Sequence, residues 1–273
     1  MTRAAEHEPR RAGRWKLLVL PEIWGPELWA EIQARLSSAP AGKHPQTSRL
    51  GSTAGGYFLK IYSPPKGAAR VKDFLRDSKA LRALKQTEAL ARLGFHAPPA
   101  LAAGEERTAG ALGRAFLLTR EIAARPLAAS LRERFAAPLD RAGVKRKRRW
   151  IAGLAREIRR LHGHGFVHGD LVASNLFVAG GDDRPVFFYM DHDRTRRYPR
   201  RLPHRLWRRN LVQLNRFVMP GISLRDRMRF LQFYLGEGAR PKTALRLGRW
   251  IERETRRRYG GRKTLKRAGA ANP

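Results

Sequence analysis

The segment His168-Gly169-Asp170-Leu171-Val172-Ala173-Ser174-Asn175 puts a carboxylate and, five residues later, a carboxamide on one short stretch. A carboxylate on such a loop can take the proton of an attacking hydroxyl, and an amide oxygen near it suits Mg²⁺, which prefers oxygen ligands. Gly, Asp, Ser and Asn are also the residues of an ordinary turn, so this spacing alone leaves both readings open. Downstream, the apolar run Val186 to Met190 ends in Asp191-His192-Asp193. Acids at the end of a buried strand suit the same cation; surface acids paired with the arginines that follow are the competing reading. Far upstream, Lys60 stands within YFLKIY, as a cation for a phosphate or as a solvent-facing strand lysine. Glu88, on the stretch that follows, can pair with it, although Asp73 and Asp77 lie nearer the start of the same stretch.

The elements that must position these groups follow from periodicity. In YFLKIY, Tyr57, Leu59 and Ile61 share one face and Lys60 takes the other, which predicts a strand. Val71 to Leu93 runs without Gly or Pro, with Leu81, Leu84, Leu90 and Leu93 at helical spacing, and Gly94 ends it before His-Ala-Pro-Pro. Ala115 to Ile122 predicts a second buried strand, and Trp150 to Leu161 an amphipathic helix preceded by the basic run Lys145 to Arg149. FVHGDLVASNLFV predicts a loop closing in a short strand, GGDD a turn, and PVFFYMDHD a strand ending in acids. From Leu206 onward the pattern is helical, anchored by Leu211, Leu214, Phe217, Phe230, Phe233 and Tyr234. Strands gather in the first half and helices in the second, which predicts an α+β, two-lobed architecture.

A chain of 273 residues allows one large domain or two lobes around a cleft, and 42% hydrophobic residues suffice for a core. Lys and Arg number 57 against 23 Asp and Glu, a formal charge of +34. Such a charge points to a polyanionic partner and away from a cationic substrate. Without cysteine there is no disulfide, thiolate metal site or Cys nucleophile. The first 25 residues make a poor signal peptide, and no stretch approaches the roughly 18–20 apolar residues of a spanning helix. A soluble or peripheral protein is expected.

The loop's spacing, H-x-D-x-x-x-x-N, matches the catalytic loop of protein kinases, and HGD in place of HRD is shared with aminoglycoside and choline kinases. GFVHGDLVASNLFV followed by FYMDHDRTRR resembles the Kdo/WaaP lipopolysaccharide kinase family, the inner-core sugar kinases of Gram-negative bacteria. SKALRALKQTEALARLGFHAPPAL and RRNLVQLNRFVMPGISLRDRMRFLQFYL extend the likeness, which covers roughly Tyr57 to Leu235. The resemblance implies a protein-kinase-like fold with a small β-rich N-lobe and a larger helical C-lobe. It implies residues 1–44 as an N-terminal extension with a short helix, 45–122 as the N-lobe and 123–273 as the C-lobe. It implies ATP and Mg²⁺ as cofactors, Asp170 as base, Asn175 and Asp191 as metal ligands, and Lys60 with Glu88 as a phosphate clamp. Ile122, in a hinge near Thr119 to Ala123, is expected against the nucleotide. The chain departs from the kinase pattern in lacking G-x-G-x-x-G before Lys60, where only Gly51 and Gly55-Gly56 stand, in having DHD for DFG, and in lacking A-P-E.

After Asp193 comes RTRRYPRRLPHRLWRR, without an acid. Arginine suits bidentate recognition of phosphates and carboxylates, which inner-core lipopolysaccharide carries. Arg194, Arg196, Arg197, Arg200 and Arg201 are therefore expected to meet an anionic glycolipid acceptor; a solvated basic patch is the plainer reading. The basic runs at 145–150 and near the end suit an anionic membrane surface. This implies a cytoplasmic protein, peripheral on the inner face of the bacterial inner membrane, with no specific protein partner. Two alternatives stand: a small-metabolite or aminoglycoside-type kinase, opposed by the charge, and a basic nucleic-acid-binding protein on a degenerate kinase fold, opposed by Lys60, Asp170, Asn175 and Asp191 occurring together.

Overall fold

In a computed structural model, residues 6–40, 42, 45–51, 56–64, 67, 74, 76–181, 184–199 and 204–264 are described. The chain divides into two units, Met1–Ile122 with Asp191–Arg194, and Ala123–Met190 with Thr195–Pro273.

The first unit is built on a six-stranded antiparallel sheet. Its strands are β1 (Glu8–Ala12), β2 (Trp15–Val19), β3 (Gln46–Leu50), β4 (Tyr57–Tyr62), β5 (Ala100–Thr108) and β6 (Ala111–Arg120), in the order β1-β2-β5-β6-β4-β3. Helix α1 (Pro26–Ser38) covers one face through Ile32 and Leu36, which pack with Leu17, Val19, Leu59, Ile61, Phe116 and Leu118. Helix α2 (Lys79–Ala91) covers the other through Ala80, Leu81, Ala83 and Leu84, against Tyr62, Ala103, Ala115 and Leu117. The period of two in β4 thus sends Leu59 and Ile61 toward α1, and Lys60 with Tyr62 to the α2 side.

Two sequence expectations change here, and one strand arises that the sequence did not signal. Residues 8–19 fall in the expected extension, yet they form two sheet strands, because Trp15, Leu17 and Val19 alternate onto the α1 face. β5 has no sequence signal: its Ala-rich start has low strand propensity, and its place is decided by neighbours. A Cβ at Gly104 in β5 would stand 2.3 Å from the Phe116 ring and 2.7 Å from Leu17, so only glycine lets β5 lie beneath them. Helix α2 begins at Lys79, where the Ser78 hydroxyl accepts from Leu81 N at 3.2 Å and Ser78 N donates to buried Glu105 at 2.7 Å. Asp77 therefore precedes the helix and pairs with Lys85, and Asp73 lies outside the described residues.

The second unit is mainly helical: α3 (Leu127–Phe135), α4 (Arg141–Gly163), α5 (His204–Leu214), α6 (Leu224–Leu235) and α7 (Pro241–Tyr259). Short strands fill the gaps: β7 (Arg125–Pro126), β8 (Phe166–Val167), β9 (Leu176–Ala179), β10 (Val186–Tyr189), β11 (Arg196–Arg197), β12 (Phe217–Val218) and β13 (Lys263–Thr264). Asp140 caps α4 by accepting from Gly143 N at 2.6 Å, so the basic run Lys145 to Arg149 lies inside the helix rather than before it. Lys147 reaches Asp226 at 3.0 Å, which joins α4 to the Ser223–Asp226 capping box of α6. Trp150, Ile158 and Leu161 form the buried face of α4. An apolar cavity of about 460 Å³, lined by Leu131, Trp150, Phe187, Met228 and Leu231 among others, remains between these helices. Among the described residues no helix is long and apolar enough to cross a membrane.

Candidate active site

In the first unit Lys60 meets an acid, but not Glu88. Its Nζ lies 2.5 Å from Asp191 Oδ1, with the two side chains 19% and 35% exposed, and 5.2 Å from the centre of the Tyr62 ring. Asp191 adopts φ +61°, a left-handed conformation that aspartate tolerates better than most residues and that tends to be retained where function needs it. Two residues on, burial first and then the neighbouring Asp191 charge hold the Asp193 carboxyl above its usual range, against Lys60, Arg194 and Lys79. Burial and the same two acids push the Tyr62 hydroxyl well up. Two neighbouring carboxyls beside one lysine, the second held up in part by the charge of the first, form a place where a cation is welcome.

Glu88 is engaged elsewhere: Oε1 lies 2.5 Å from His7 Nδ1, and Oε2 accepts from Arg92 at 3.4 Å. The other ring nitrogen of His7 stands 3.0 Å from the carbonyl of Ala100. Ile122 is half-buried two residues after β6, at the end of the first segment of the first unit. Beside it, Glu121 N donates to Gly56 O at 2.8 Å and the Glu121 carboxylate binds Arg49 at 2.7 Å, which ties the exit of β6 to the entry of β4. Gly55 lies outside the described residues.

In the second unit, His168 is a buried ring set 6.2 Å from Tyr189. Gly169 follows at φ +78°, where a side chain is strained. The backbone carbonyl of Asp170 accepts from Val172 N at 2.9 Å and from Asn175 Nδ2 at 3.0 Å. Its half-buried carboxylate has no hydrogen bond or ion pair among the described residues. With Nδ2 of Asn175 spent on the loop, the amide oxygen is the atom left for a ligand. β9 and β10 pair with Leu176 opposite Tyr189, and Met190 N donates to Asn175 O at 2.9 Å. The strand pair therefore begins just after Asn175 and ends just before Asp191.

Helix α5 holds this loop from its backbone. Asn210 Oδ1 accepts from His168 N at 3.0 Å, Gln213 Oε1 accepts from Leu171 N at 3.3 Å, and Gln213 Nε2 donates to Gly169 O at 2.7 Å. Asn210 Nδ2 donates to Gln213 at 2.8 Å. Behind them His162 on α4 has Nε2 3.2 Å from Asn210 Oδ1 and Nδ1 2.8 Å from the Tyr234 hydroxyl on α6. Since Asn210 Oδ1 can only accept, these partners assign the ring proton to Nε2. Burial lowers the His162 pKa to about 4, against the hydrogen bond of Asn210. None of these supports is among the site residues expected from the sequence. Two carboxamides three apart on a helix that otherwise buries Leu211 and Val212 are the one signal that marks Asn210 and Gln213.

The expected acceptor arginines are only partly described. Arg194 is exposed in the turn His192–Arg194. Arg196 and Arg197 form β11 and pair with Val167 and Phe166, the two residues leading into the loop. Arg197 lies over the Phe166 ring at 5.5 Å, and the Thr195 hydroxyl donates to His168 O at 3.2 Å. Arg200 and Arg201 lie outside the described residues.

The chain is similar to the solved structure titled "WaaP in complex with acyl carrier protein", with a TM-score of 0.60 and 23% identity over 89% of this chain and 99% of that one. It also matches a kinase domain of Mycobacterium tuberculosis PknI (the C20A_R136N double mutant), at TM-score 0.42 and 15% identity over 78% of this chain and 92% of that one. No match is found among curated proteins. The β-rich first unit and helical second unit are those of a protein-kinase-like fold. The family model described as "Lipopolysaccharide kinase (Kdo/WaaP) family" matches residues 60–234, from Lys60 through the loop to Asp191 and α6. With most of its length so matched, the chain belongs to the lipopolysaccharide kinase (Kdo/WaaP) family, whose members are phosphotransferases acting on an alcohol group.

Proposed function

We propose that this lipopolysaccharide kinase transfers the γ-phosphoryl group of ATP to a hydroxyl of an inner-core sugar, Kdo or heptose, with Asp170 as the base. The observation that carries the reading is the Asp170 carboxylate, without a hydrogen bond or ion pair among the described residues, on a loop whose backbone is fixed by Asn210 and Gln213. Asp170 accepts the proton of the sugar hydroxyl as the new P–O bond forms and the bond to the ADP oxygen breaks. Asn175 and Asp191 are the residues that would hold Mg²⁺, which supplies neutralisation of the phosphate charge. Among the described residues no three acids or histidines form a metal cage by themselves. That fits Mg²⁺, which binds through one or two protein oxygens plus phosphate oxygens and water. Lys60 binds the phosphates, and Glu88 orients it after exchanging its bond with His7. Ile122 packs on the nucleotide. Catalysis is then positioning and charge stabilisation more than covalent work.

The acceptor is an anionic glycolipid. Arg194, Arg196, Arg197, Arg200 and Arg201 meet its phosphates and carboxylates, a role supported by β11 lying against the strand that enters the loop. Work on a lipid-anchored sugar places the enzyme at the inner face of the bacterial inner membrane, held peripherally by its basic surface. The test is Asp170→Asn, which should fold and bind ATP as before while turnover falls by about 10²–10⁴-fold. Wild-type turnover in that variant would remove Asp170 from the mechanism.

A further inference from the structure

Helix α7 carries arginines of two kinds. Arg256 pairs with Glu252 at 3.6 Å, and Arg257 and Arg258 pair with Glu254 at 2.7 and 3.3 Å. Arg246, Arg249 and Arg253 have no hydrogen bond or ion pair among the described residues. Spaced three and four apart, they form one stripe of the helix, with Trp250 on it. This stripe lines a cleft of about 680 Å³ whose other walls come from Trp207 and Arg208 on α5 and Tyr234 on α6. Among the described residues no acidic one lines it. Arg208 lies over the Trp250 ring, 5.4 Å from its centre, a stacking that holds the guanidinium plane while leaving its N–H edges for an anion.

Four guanidiniums around one concavity, with no carboxylate among the described residues that line it, repel one another until an anion enters. The half-buried rings beside them offer flat apolar faces of the kind on which a sugar's C–H face packs. The volume falls within the range of small-ligand sites, roughly 300–1,000 Å³. A concave site with aromatic walls suits a discrete phosphorylated ring better than the flat surface of a bilayer. Helix α5 also sets where the cleft lies. The ring of Trp207 stacks on His162 at 6.2 Å, and His162 binds Asn210, which holds the catalytic loop. Cleft and loop thus both lie against α5 and are linked through His162.

We infer that this cleft is a second binding site for the acceptor. It takes a phosphate group of the saccharide on Arg208, Arg246, Arg249 and Arg253, with the sugar ring against Trp250. The inference rests on the reading of the protein as a lipopolysaccharide kinase and goes beyond it, since the site lies apart from the reacting hydroxyl.

The test uses water-soluble core oligosaccharide released from lipopolysaccharide by alkaline deacylation, with and without its phosphates. Binding is measured calorimetrically on the wild type and on Arg246→Gln/Arg249→Gln/Arg253→Gln. The phosphorylated oligosaccharide should bind the variant about tenfold more weakly, a loss of roughly 1.4 kcal/mol, and the dephosphorylated one should bind both proteins equally. In steady-state assays the variant should show a raised KM for the phosphorylated oligosaccharide with kcat and the KM for ATP unchanged. The arginines are exposed, so the melting temperature should hold; Arg246→Gln/Arg249→Gln serves if the triple variant melts early. Equal binding of the phosphorylated oligosaccharide by a well-folded variant overturns the site. So does a loss seen only with intact, bilayer-embedded lipopolysaccharide, which would assign the arginines to lipid headgroups, or a loss that ignores the phosphates. Failure of the wild type to phosphorylate any lipopolysaccharide would instead strike the kinase reading, while the binding measurement still decides the cleft.

Discussion

At the scale of single residues, Asp191 and Asp193 sit in different settings. Asp191 is bonded to Lys60 and held at a positive φ, whereas Asp193 is partly buried and its carboxyl leans toward the protonated form beside Asp191. On the proposed reading Asp191, not Asp193, is the Mg²⁺ ligand, in keeping with its bond to Lys60. Asn175→Ala and Asp191→Ala should each weaken Mg²⁺-dependent ATP binding by about tenfold or more, roughly 1.4 kcal/mol, and Asp193→Ala should do so less. Titration calorimetry with and without Mg²⁺ reads this directly. A larger loss at Asp193 would move the ligand two residues along the chain. The same geometry makes His7 a competitor for Glu88, and His7→Ala should leave that carboxylate to Arg92 or Lys60.

At the scale of elements, α4, α5 and α6 are locked together by His162, Asn210 and Tyr234. His162 is 3% exposed and its pKa is lowered to about 4 in the fold, against an ordinary 6.5. Between those values the unfolded chain binds a proton that the folded one refuses, so stability rises with pH across the window and is lost as pH falls from about 6.5 toward 4. At 1.36 kcal/mol per decade the loss is on the order of 3 kcal/mol. The melting temperature should therefore drop between pH 7 and pH 4.5, and His162→Gln should flatten the drop. Asp226 does not confuse the reading. Although burial pushes its carboxyl up, bonds from Ser223 and Lys147 hold it below its ordinary value, and its contribution is lost only at lower pH. An equal drop in the variant would show that the network does not titrate. Asn210 matters for the same element: as a positioning residue it should affect turnover more than ATP binding when replaced by Ala.

For the whole molecule, a formal charge of +34 creates a field that attracts anionic substrates before any contact forms. Arg196 and Arg197 concentrate part of that field beside the loop. Exposed charges are screened within about 8 Å at physiological ionic strength. Raising salt should therefore lower kcat/KM for lipopolysaccharide steeply while kcat changes little. Arg196→Gln/Arg197→Gln should raise the acceptor KM, leave the ATP constant nearly unchanged, and reduce the salt dependence. A well-folded variant with an unchanged acceptor constant would leave these two arginines as a solvated patch.

The amino-acid sequence by itself determined what rests on neighbours a few residues apart. The alternation of YFLKIY, the spacing from Asp170 to Asn175 and the acids closing the strand before Asp191 are local patterns, and they carry the kinase likeness with them. The architecture of strands followed by helices was legible for the same reason. Partner choice was not, because every polar group has many possible partners along the chain and only packing selects one. Lys60 meets Asp191, 131 residues away, and Glu88 meets His7, 81 residues away. Asn210 and Gln213 reach a loop 42 to 44 residues earlier. β5 depends on Gly104 slipping beneath Phe116 and Leu17, a fit between surfaces that composition does not encode. The tertiary structure alone decided these contacts, since burying a polar group is tolerated only where its partner is already in place.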